Sequence, residues 1–125
     1  MDADPARYAA EWANAWNRRD IEAVLGHFDD DAVFTSPLAE RLMPESGGRL
    51  VGKDAIRAYW QAGIAAIPDL HFTVDQVFAG VDFLVIQYRN QKGVPVSELL
   101  RIREGVVVEG HGTYPPEIAN PTGAR

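Results

Sequence analysis

Apolar residues in the N-terminal half of the chain recur at helical spacing. A first helix begins at Pro5, a residue that suits a first helical turn. Its apolar face comprises Tyr8, Trp12, Ala15 and Trp16. A short second helix fits residues 21–28, with Asp20 as its N-cap. A third runs over residues 53–67 and ends at Pro68, which cannot continue a helix.

After Pro68 the pattern changes to the alternation that is typical of strands. Four strand candidates follow, at residues 70–79, 83–90, 96–103 and 106–114. Their connections contain Gly80, Lys92-Gly93 and Glu104-Gly105, and such turn residues favour antiparallel neighbours.

The segment between the second and third helices is less regular. Asp29-Asp30-Asp31 indicates a turn, and residues 32–35 a short strand. Residues 36–48 contain two prolines and two glycines, so we expect a long loop of the kind that often acts as a lid or a binding segment. Helices followed by an antiparallel meander predict an α+β fold with the helices on one sheet face. We find no repeat or boundary, so residues 1–125 are expected to form a single domain.

Composition narrows the classes of function. The chain has 125 residues, 12 basic and 18 acidic, and the net charge of −6 argues against nucleic acid or an anionic membrane as the main partner. Because there is no cysteine, disulfides, thiolate catalysis and cysteine-bound zinc are excluded. The acidic N-terminus lacks the apolar core of a signal peptide, and no stretch has the length of a membrane span. The default expectation is a cytoplasmic protein.

One carboxyl group lies in an otherwise apolar row. In the strand at 96–103, Glu98 shares a face with Val96, Leu100 and Ile102. Ionising a carboxyl in apolar surroundings is costly, so its pKa should rise and the group should stay protonated near neutrality. A protonated acid can donate a hydrogen bond to a developing oxyanion or act as a general acid. The alternative is that this strand end frays and Glu98 is solvated.

The preceding strand places two more polar side chains nearby. Tyr88 and Asn90 share a face with Leu84 and Ile86, and this row reaches the same end of the sheet as Glu98. Tyr88 is therefore a candidate to orient Glu98 or a substrate oxygen, and Asn90 to bind substrate. The ordinary alternative is that Tyr88 is a core residue with its hydroxyl at the rim.

The chain resembles a known superfamily. The two helices, the run from Phe28 to Phe34, Ser36-Pro37 and Gly52-Lys53-Asp54-Ala55-Ile56 look like the nuclear transport factor 2-like superfamily, and its SnoaL-like branch in particular. The ending from Leu100 to Val107 resembles the final hairpin of that branch. The resemblance implies a cone-shaped α+β barrel around a pocket, and a homodimer. It leaves the reaction open, because the superfamily includes isomerases, polyketide cyclases, dehydratases, epoxide hydrolases and proteins without catalytic activity.

The resemblance also assigns site positions. Glu98 matches the oxyanion-stabilising aspartate of the ketosteroid isomerase branch, and Trp12 matches its tyrosine partner. The base of that branch, an aspartate before a proline, falls at Ser36, and a serine cannot replace a carboxylate base. Steroid-type isomerisation by that mechanism is therefore not expected.

His111 has two interpretations. By the resemblance, the row with Gly110, Gly112 and Tyr114 faces the pocket, which leaves His111 outside. The two glycines favour a bulge, however, and a bulge would turn His111 inward. On that ground His111 is included among the candidate substrate-binding residues. The three histidines show no metal-ligand spacing, and Asp29-Asp30-Asp31 is better explained as a solvated turn than as a cation site.

The sequence thus predicts a cofactor-free, metal-free isomerase, cyclase or dehydratase for a small hydrophobic, oxygenated molecule. Glu98 and Tyr88 are the candidate catalytic residues. The candidate substrate-binding residues are Trp12, Trp16, Phe34, Trp60, Phe72, Asn90, His111 and Tyr114. The alternative is a non-catalytic module that binds a ligand or a protein partner, and the lack of a base at Ser36 keeps it open. The outer row with Leu99, Arg101 and Val107 is the expected dimer surface.

Overall fold

The computed structural model describes residues 4–116. Within these residues the chain forms four α-helices and one 3-10 turn. They are α1 (Pro5–Asn17), α2 (Ile21–Leu25), α3 (Pro37–Leu42), the 3-10 turn (Pro44–Ser46) and α4 (Lys53–Ala66). The six strands are β1 (Phe28–Thr35), β2 (Arg49–Val51), β3 (Thr73–Ala79), β4 (Phe83–Arg89), β5 (Pro95–Arg103) and β6 (Val106–Thr113).

The helix ends follow from local chemistry. Asp4 accepts a hydrogen bond from the Arg7 backbone N–H at 3.2 Å, and Asp20 accepts one from the Ala23 N–H at 3.1 Å. These side chains satisfy N–H groups that have no partner inside the first turn. The predicted starts of α1 and α2 are confirmed. The second helix is shorter than predicted, because Gly26 ends it and β1 already begins at Phe28.

Two predictions for the segment after α2 are wrong. Asp29-Asp30-Asp31 does not form a turn but belongs to β1, within the stretch where the register against β6 shifts. Residues 36–48 are not one long loop, since they contain α3 and the 3-10 turn. Pro37 and Pro44 begin these helices instead of breaking structure, because proline fits the first turn.

The sheet is mixed, with the strand order β2-β1-β6-β5-β4-β3. The ladders β3–β4, β4–β5 and β5–β6 are antiparallel, as predicted, whereas β1 and β6 are parallel. The sheet curls around the helices without closing, with α1 packed on β3 and α4 on β1. The predicted α+β class, with helices on one face of a curved sheet, is confirmed. No helix within residues 4–116 is both long and apolar enough to span a membrane.

The strand registers bring several strand ends together. Thr35 at the end of β1 lies opposite His111 near the end of β6, and Ser97 in β5 lies opposite Thr113. Arg89 at the end of β4 lies beside the first residues of both β3 and β5. Residues that follow β1, β4 and β6 therefore meet at one end of the sheet, and the site lies there.

Candidate active site

Glu98 is buried on the inner face of β5. Only 5% of its surface is exposed, and its row neighbours Val96 and Leu100 are buried with it. The strand does not fray at this position. Burial raises the pKa of Glu98 to about 8, because the charged form loses hydration and gains no positive partner. Near neutral pH the carboxyl is therefore mainly protonated and can donate a hydrogen bond.

The inner row of β4 faces the same space. Tyr88 is buried, and desolvation raises its pKa well above the ordinary value. Asn90 follows β4, and its Oδ1 accepts the backbone N–H groups of Lys92 at 2.9 Å and Val94 at 3.0 Å. These bonds hold the β4–β5 turn. They leave the side-chain N–H₂ of Asn90 as the group available to a ligand.

These side chains line one cavity of about 60 Å³ under the helices, which is room for several waters. Nine residues selected from the sequence line it, namely Trp12, Trp16, Phe34, Trp60, Phe72, Tyr88, Asn90, Glu98 and Tyr114. The other lining residues are Ser36, Leu38, Tyr59, Gly63, Ile67, Leu70, Gln91 and Gly112. Its walls include eight aromatic side chains, and Glu98 and Ser36 both lie beside Gly112 at its polar end.

The aromatic walls are held by ring contacts. Trp12 stacks on Phe72 with ring centres 5.5 Å apart, and Phe72 lies 4.5 Å from Tyr88. Trp16 and Trp60 meet edge to face at 5.0 Å. Such pairs stabilise the packing beyond area burial, by about 0.5–1.5 kcal/mol each. The indole N–H of Trp16 is buried and has no hydrogen-bond partner within residues 4–116.

Ser36 connects three elements at the polar end. Its Oγ accepts the Leu38 backbone N–H at 3.2 Å, as the N-cap of α3, and the Tyr59 hydroxyl of α4 at 3.1 Å. From the sequence, Ser36 stands only at the position of the absent base, and Tyr59 is not among the predicted site residues. The available signal was that a buried tyrosine needs a partner for its hydroxyl. Ser36 positions the cavity wall.

All four tyrosines of the chain lie close enough to Glu98 for its charge to affect them. Burial is the main cause of a raised pKa in each, and the Glu98 carboxyl raises it further. They are Tyr8, Tyr59, Tyr88 and Tyr114. Every phenol around Glu98 therefore remains neutral at physiological pH and can donate a hydrogen bond. The Tyr8 hydroxyl is buried without a partner in the described chain.

The two glycines of β6, Gly110 and Gly112, differ in the space that surrounds them. A Cβ on Gly110 would lie 2.8 Å from Phe34 Cδ1, so that space is filled by the phenyl ring. A Cβ on Gly112 would lie 3.5 Å from Ser36 Oγ and 3.6 Å from Glu98 Oε1. Of these two glycines, Gly112 alone leaves room at the polar end.

The expectation that His111 lines the cavity is wrong. His111 Nδ1 lies 2.6 Å from Thr35 Oγ1, and its Nε2 lies 3.1 Å from Glu109 Oε1, on the outer sheet face. A bulge is present, but the register shifts before the glycines, so His111 keeps its outward direction. The same bulge turns Val107 into the core, so it does not belong to the outer row with Leu99 and Arg101.

The polar groups of the cavity are one acid, hydroxyls and amides. Across residues 4–116, no three His, Asp or Glu side chains are arranged to hold a metal ion. The chemistry available to these residues is hydrogen-bond donation and proton transfer.

Comparison with known proteins agrees with the α+β fold described above. A model of the SnoaL-like domain matches residues 9–123. A SnoaL-like protein of unknown function from Burkholderia thailandensis is 35% identical, with a TM-score of 0.84 over 92% of this chain and 97% of that one. TerC, co-crystallised with polyporic acid, shares the fold at 15% identity, with a TM-score of 0.72 over 90% and 92%. A nuclear transport factor 2-like protein of unknown function from Burkholderia pseudomallei shares the fold at 17% identity, with a TM-score of 0.69 over 91% of this chain and 92% of that one. No curated protein matches the sequence.

Proposed function

The chain belongs to the SnoaL-like family, and on that basis we propose that its cavity binds a small hydrophobic, oxygenated molecule and catalyses an acid–base reaction on it. The observation that carries this proposal is Glu98, a carboxyl that is buried at the polar end of an aromatic cavity and has no charged partner among the lining residues that the structure describes. Perturbed acids of this kind are concentrated at functional sites. The co-crystal of the fold neighbour TerC with polyporic acid is consistent with small-molecule binding by this fold.

The proposed chemistry uses Glu98 in both protonation states. A pKa near 8 leaves most of the carboxyl protonated at pH 7, and a minor ionised fraction is available as a base. In a dehydration, Glu98 gives its proton to the departing hydroxyl and the resulting carboxylate takes a proton from the neighbouring carbon, so that water and a double bond form. In an isomerisation, the carboxylate removes a proton next to a carbonyl and returns it to another carbon of the same molecule, while a neutral phenol such as Tyr88 stabilises the intermediate oxyanion. In a cyclisation, the carbanion instead forms a bond to a second carbonyl carbon of the same molecule, and Glu98 returns the proton to the resulting alkoxide.

No metal or other cofactor enters this proposal. Tyr88, Trp12 and Asn90 would position the substrate oxygen, and the remaining aromatic walls would hold its hydrocarbon part.

A second candidate is a binding protein without catalysis. Ser36 occupies the position that resembles the family base, and its hydroxyl already accepts two hydrogen bonds. Within the described chain, Glu98 is the one carboxyl among the lining residues. Reactions that need a separate acid and base at once are therefore disfavoured, which favours either single-acid chemistry or binding alone.

Hydrogen–deuterium exchange of 1-indanone in D₂O separates these candidates without knowledge of the natural substrate. We expect the wild-type protein to bind 1-indanone and to speed loss of its α-proton NMR signal. Glu98→Gln should retain binding, because the amide can still donate a hydrogen bond, and lose the exchange. Glu109→Gln, on the outer sheet face, is the control and should retain both. Binding without exchange in the wild type supports the binding protein, and no binding contradicts both candidates.

A further inference from the structure

The carboxyl of Glu98 lies in an aromatic enclosure that supplies no positive charge. All three tryptophans of the chain, Trp12, Trp16 and Trp60, line the cavity together with five further aromatic side chains. No lysine, arginine or histidine is among the lining residues of the part of the chain that is described. A carboxylate in this position therefore has no counter-ion among the lining residues of residues 4–116.

Aromatic rings attract cations through the negative potential of their faces, and aromatic cages bind quaternary ammonium groups. A carboxylate adds a full opposite charge, which is worth most where water is excluded. An anionic ligand would instead meet a like charge and have no cation to pair with. We propose that this cavity, with Glu98 at its polar end, is also a binding site for small organic ammonium ions. The inference rests on the proposed function only in using the same cavity and the same carboxyl.

Ammonium ions and neutral oxygen acceptors require opposite states of Glu98. A carbonyl or hydroxyl acceptor binds the protonated acid, whereas an ammonium ion binds the carboxylate. Apparent affinity follows the fraction of the protein that is in the protonation state the ligand needs. As pH rises through the pKa of Glu98, binding of a neutral oxygen acceptor therefore weakens, and binding of an ammonium ion tightens. The two ligand classes therefore have opposite pH dependences at one site.

Apart from Glu98, the titratable side chains that line the cavity within residues 4–116 are all tyrosines. The groups that face Glu98 are Tyr8 on α1, Tyr59 on α4, Tyr88 on β4 and Tyr114 after β6, and burial raises the pKa of each. Gly112 on β6 has no side chain. The ring of His27 lies 5.0 Å from that of Tyr8, and His27 itself is exposed and outside the cavity lining. His27→Gln is therefore the control for the imidazole beside Tyr8.

Three probes of similar shape and different charge test the proposal: choline, 3,3-dimethylbutan-1-ol and 3,3-dimethylbutanoate. Binding is measured at pH 6 and pH 9 by calorimetry and by tryptophan fluorescence, which reports the cavity because every tryptophan lines it. In the wild type and in His27→Gln, we expect the affinity for choline to rise about tenfold or more from pH 6 to pH 9. The alcohol should bind without such a rise, and the butanoate most weakly at pH 9. In Glu98→Gln, confirmed as folded by circular dichroism, the rise should disappear.

The ammonium site is overturned if choline binds no more tightly than the alcohol at pH 9, or if its pH dependence survives in Glu98→Gln. If 1-indanone and the alcohol bind while choline does not, the ammonium site alone is wrong and the proposed function stands. If choline binds as expected but no exchange of 1-indanone occurs, the ammonium site stands and the proposed catalysis is wrong. If no probe binds, both proposals fail.

Discussion

Glu98 and Gly112 lie directly opposite each other in the β5–β6 ladder, so the strand position that faces the buried carboxyl has no side chain. Ser36 closes the far side of this gap, since its Oγ would be 3.5 Å from a Cβ on Gly112. The space beside the acid is thus made by the absence of one side chain, and we expect a ligand oxygen to occupy it next to Glu98.

Gly112→Ala should fill this gap and leave the fold intact. Both nearest atoms would be at ordinary van der Waals distance, and the backbone of Gly112 is not left-handed. We expect a change in unfolding free energy below about 1 kcal/mol and a loss of affinity for 1-indanone of about tenfold or more. Urea unfolding and fluorescence titration measure the two effects. Unchanged affinity would show that ligands do not use this gap.

Gly110→Ala, two residues earlier on the same strand face, should have the opposite effect. Its Cβ would meet Phe34 at 2.8 Å, and this ring is enclosed by the core. We expect overpacking to cost about 1–3 kcal/mol of unfolding free energy. Equal stability of the two alanine variants in the same urea series would contradict the assigned difference between the glycines.

The stability contribution of Glu98 should fall as pH rises. Its pKa is about 8 in the folded chain and 4.5 ordinarily, so folding takes up a proton between these values. The contribution is fully present below pH 4.5 and is lost by about pH 8. The unfolding free energy of the wild type relative to Glu98→Gln should decline over this range, by at most about 5 kcal/mol.

Glu109→Gln is the control for this pH series. The hydrogen bond with His111 is the main cause of the lowered pKa of Glu109; burial acts against it, and nearby Arg101 lowers the pKa further. Its contribution is therefore present above its unfolded pKa and lost as pH falls. A flat difference between the wild type and Glu98→Gln from pH 5 to pH 8 would show that Glu98 is not desolvated.

The Ser36–Tyr59 contact should be measurable as a shared interaction. Ser36→Ala removes the N-cap of α3 and the acceptor for Tyr59, and we expect it to cost about 1–2 kcal/mol of unfolding free energy. Tyr59→Phe removes one hydrogen bond and should cost about 1 kcal/mol. The double variant should cost less than both single effects together, because they delete the same bond. Strict additivity in urea unfolding would contradict the contact.

The sequence predicted the site residues whose inward direction follows from the alternation of side chains along a strand. Glu98 and Tyr88 lie on rows whose other members are apolar, so their inward direction could be inferred from a period of two. The helical faces likewise indicated Trp12, Trp16 and Trp60. These residues depend on local pattern and need no knowledge of tertiary contacts.

The remaining features depend on contacts between distant segments. The direction of His111 and Val107 depends on where the bulge in β6 falls, and the two glycines allowed more than one position. The pairing of Ser36 with Tyr59 joins residues 23 apart in sequence, and no local pattern indicates it. The parallel pairing of β1 with β6 is also non-local.

The homodimer implied by the family resemblance stays a prediction. The corrected outer row of β5 contains Leu99 and Arg101, with the Arg101 guanidinium 4.5 Å above the Phe83 ring. We expect light scattering to give twice the chain mass for the wild type. Leu99→Glu should give the monomer mass, because it places a charge in the expected interface. A monomeric wild type would contradict the expectation.

Titration of the Glu98 carboxyl itself tests the proposed role of this residue most directly. Carbon-13 NMR of protein labelled at the glutamate side-chain carboxyl follows each group, and the signal missing from Glu98→Gln identifies Glu98. In the ligand-free protein we expect this signal to titrate with a pKa of about 8. Titration near the ordinary value of 4.5 would contradict the central claim that Glu98 is a buried acid poised to donate a proton.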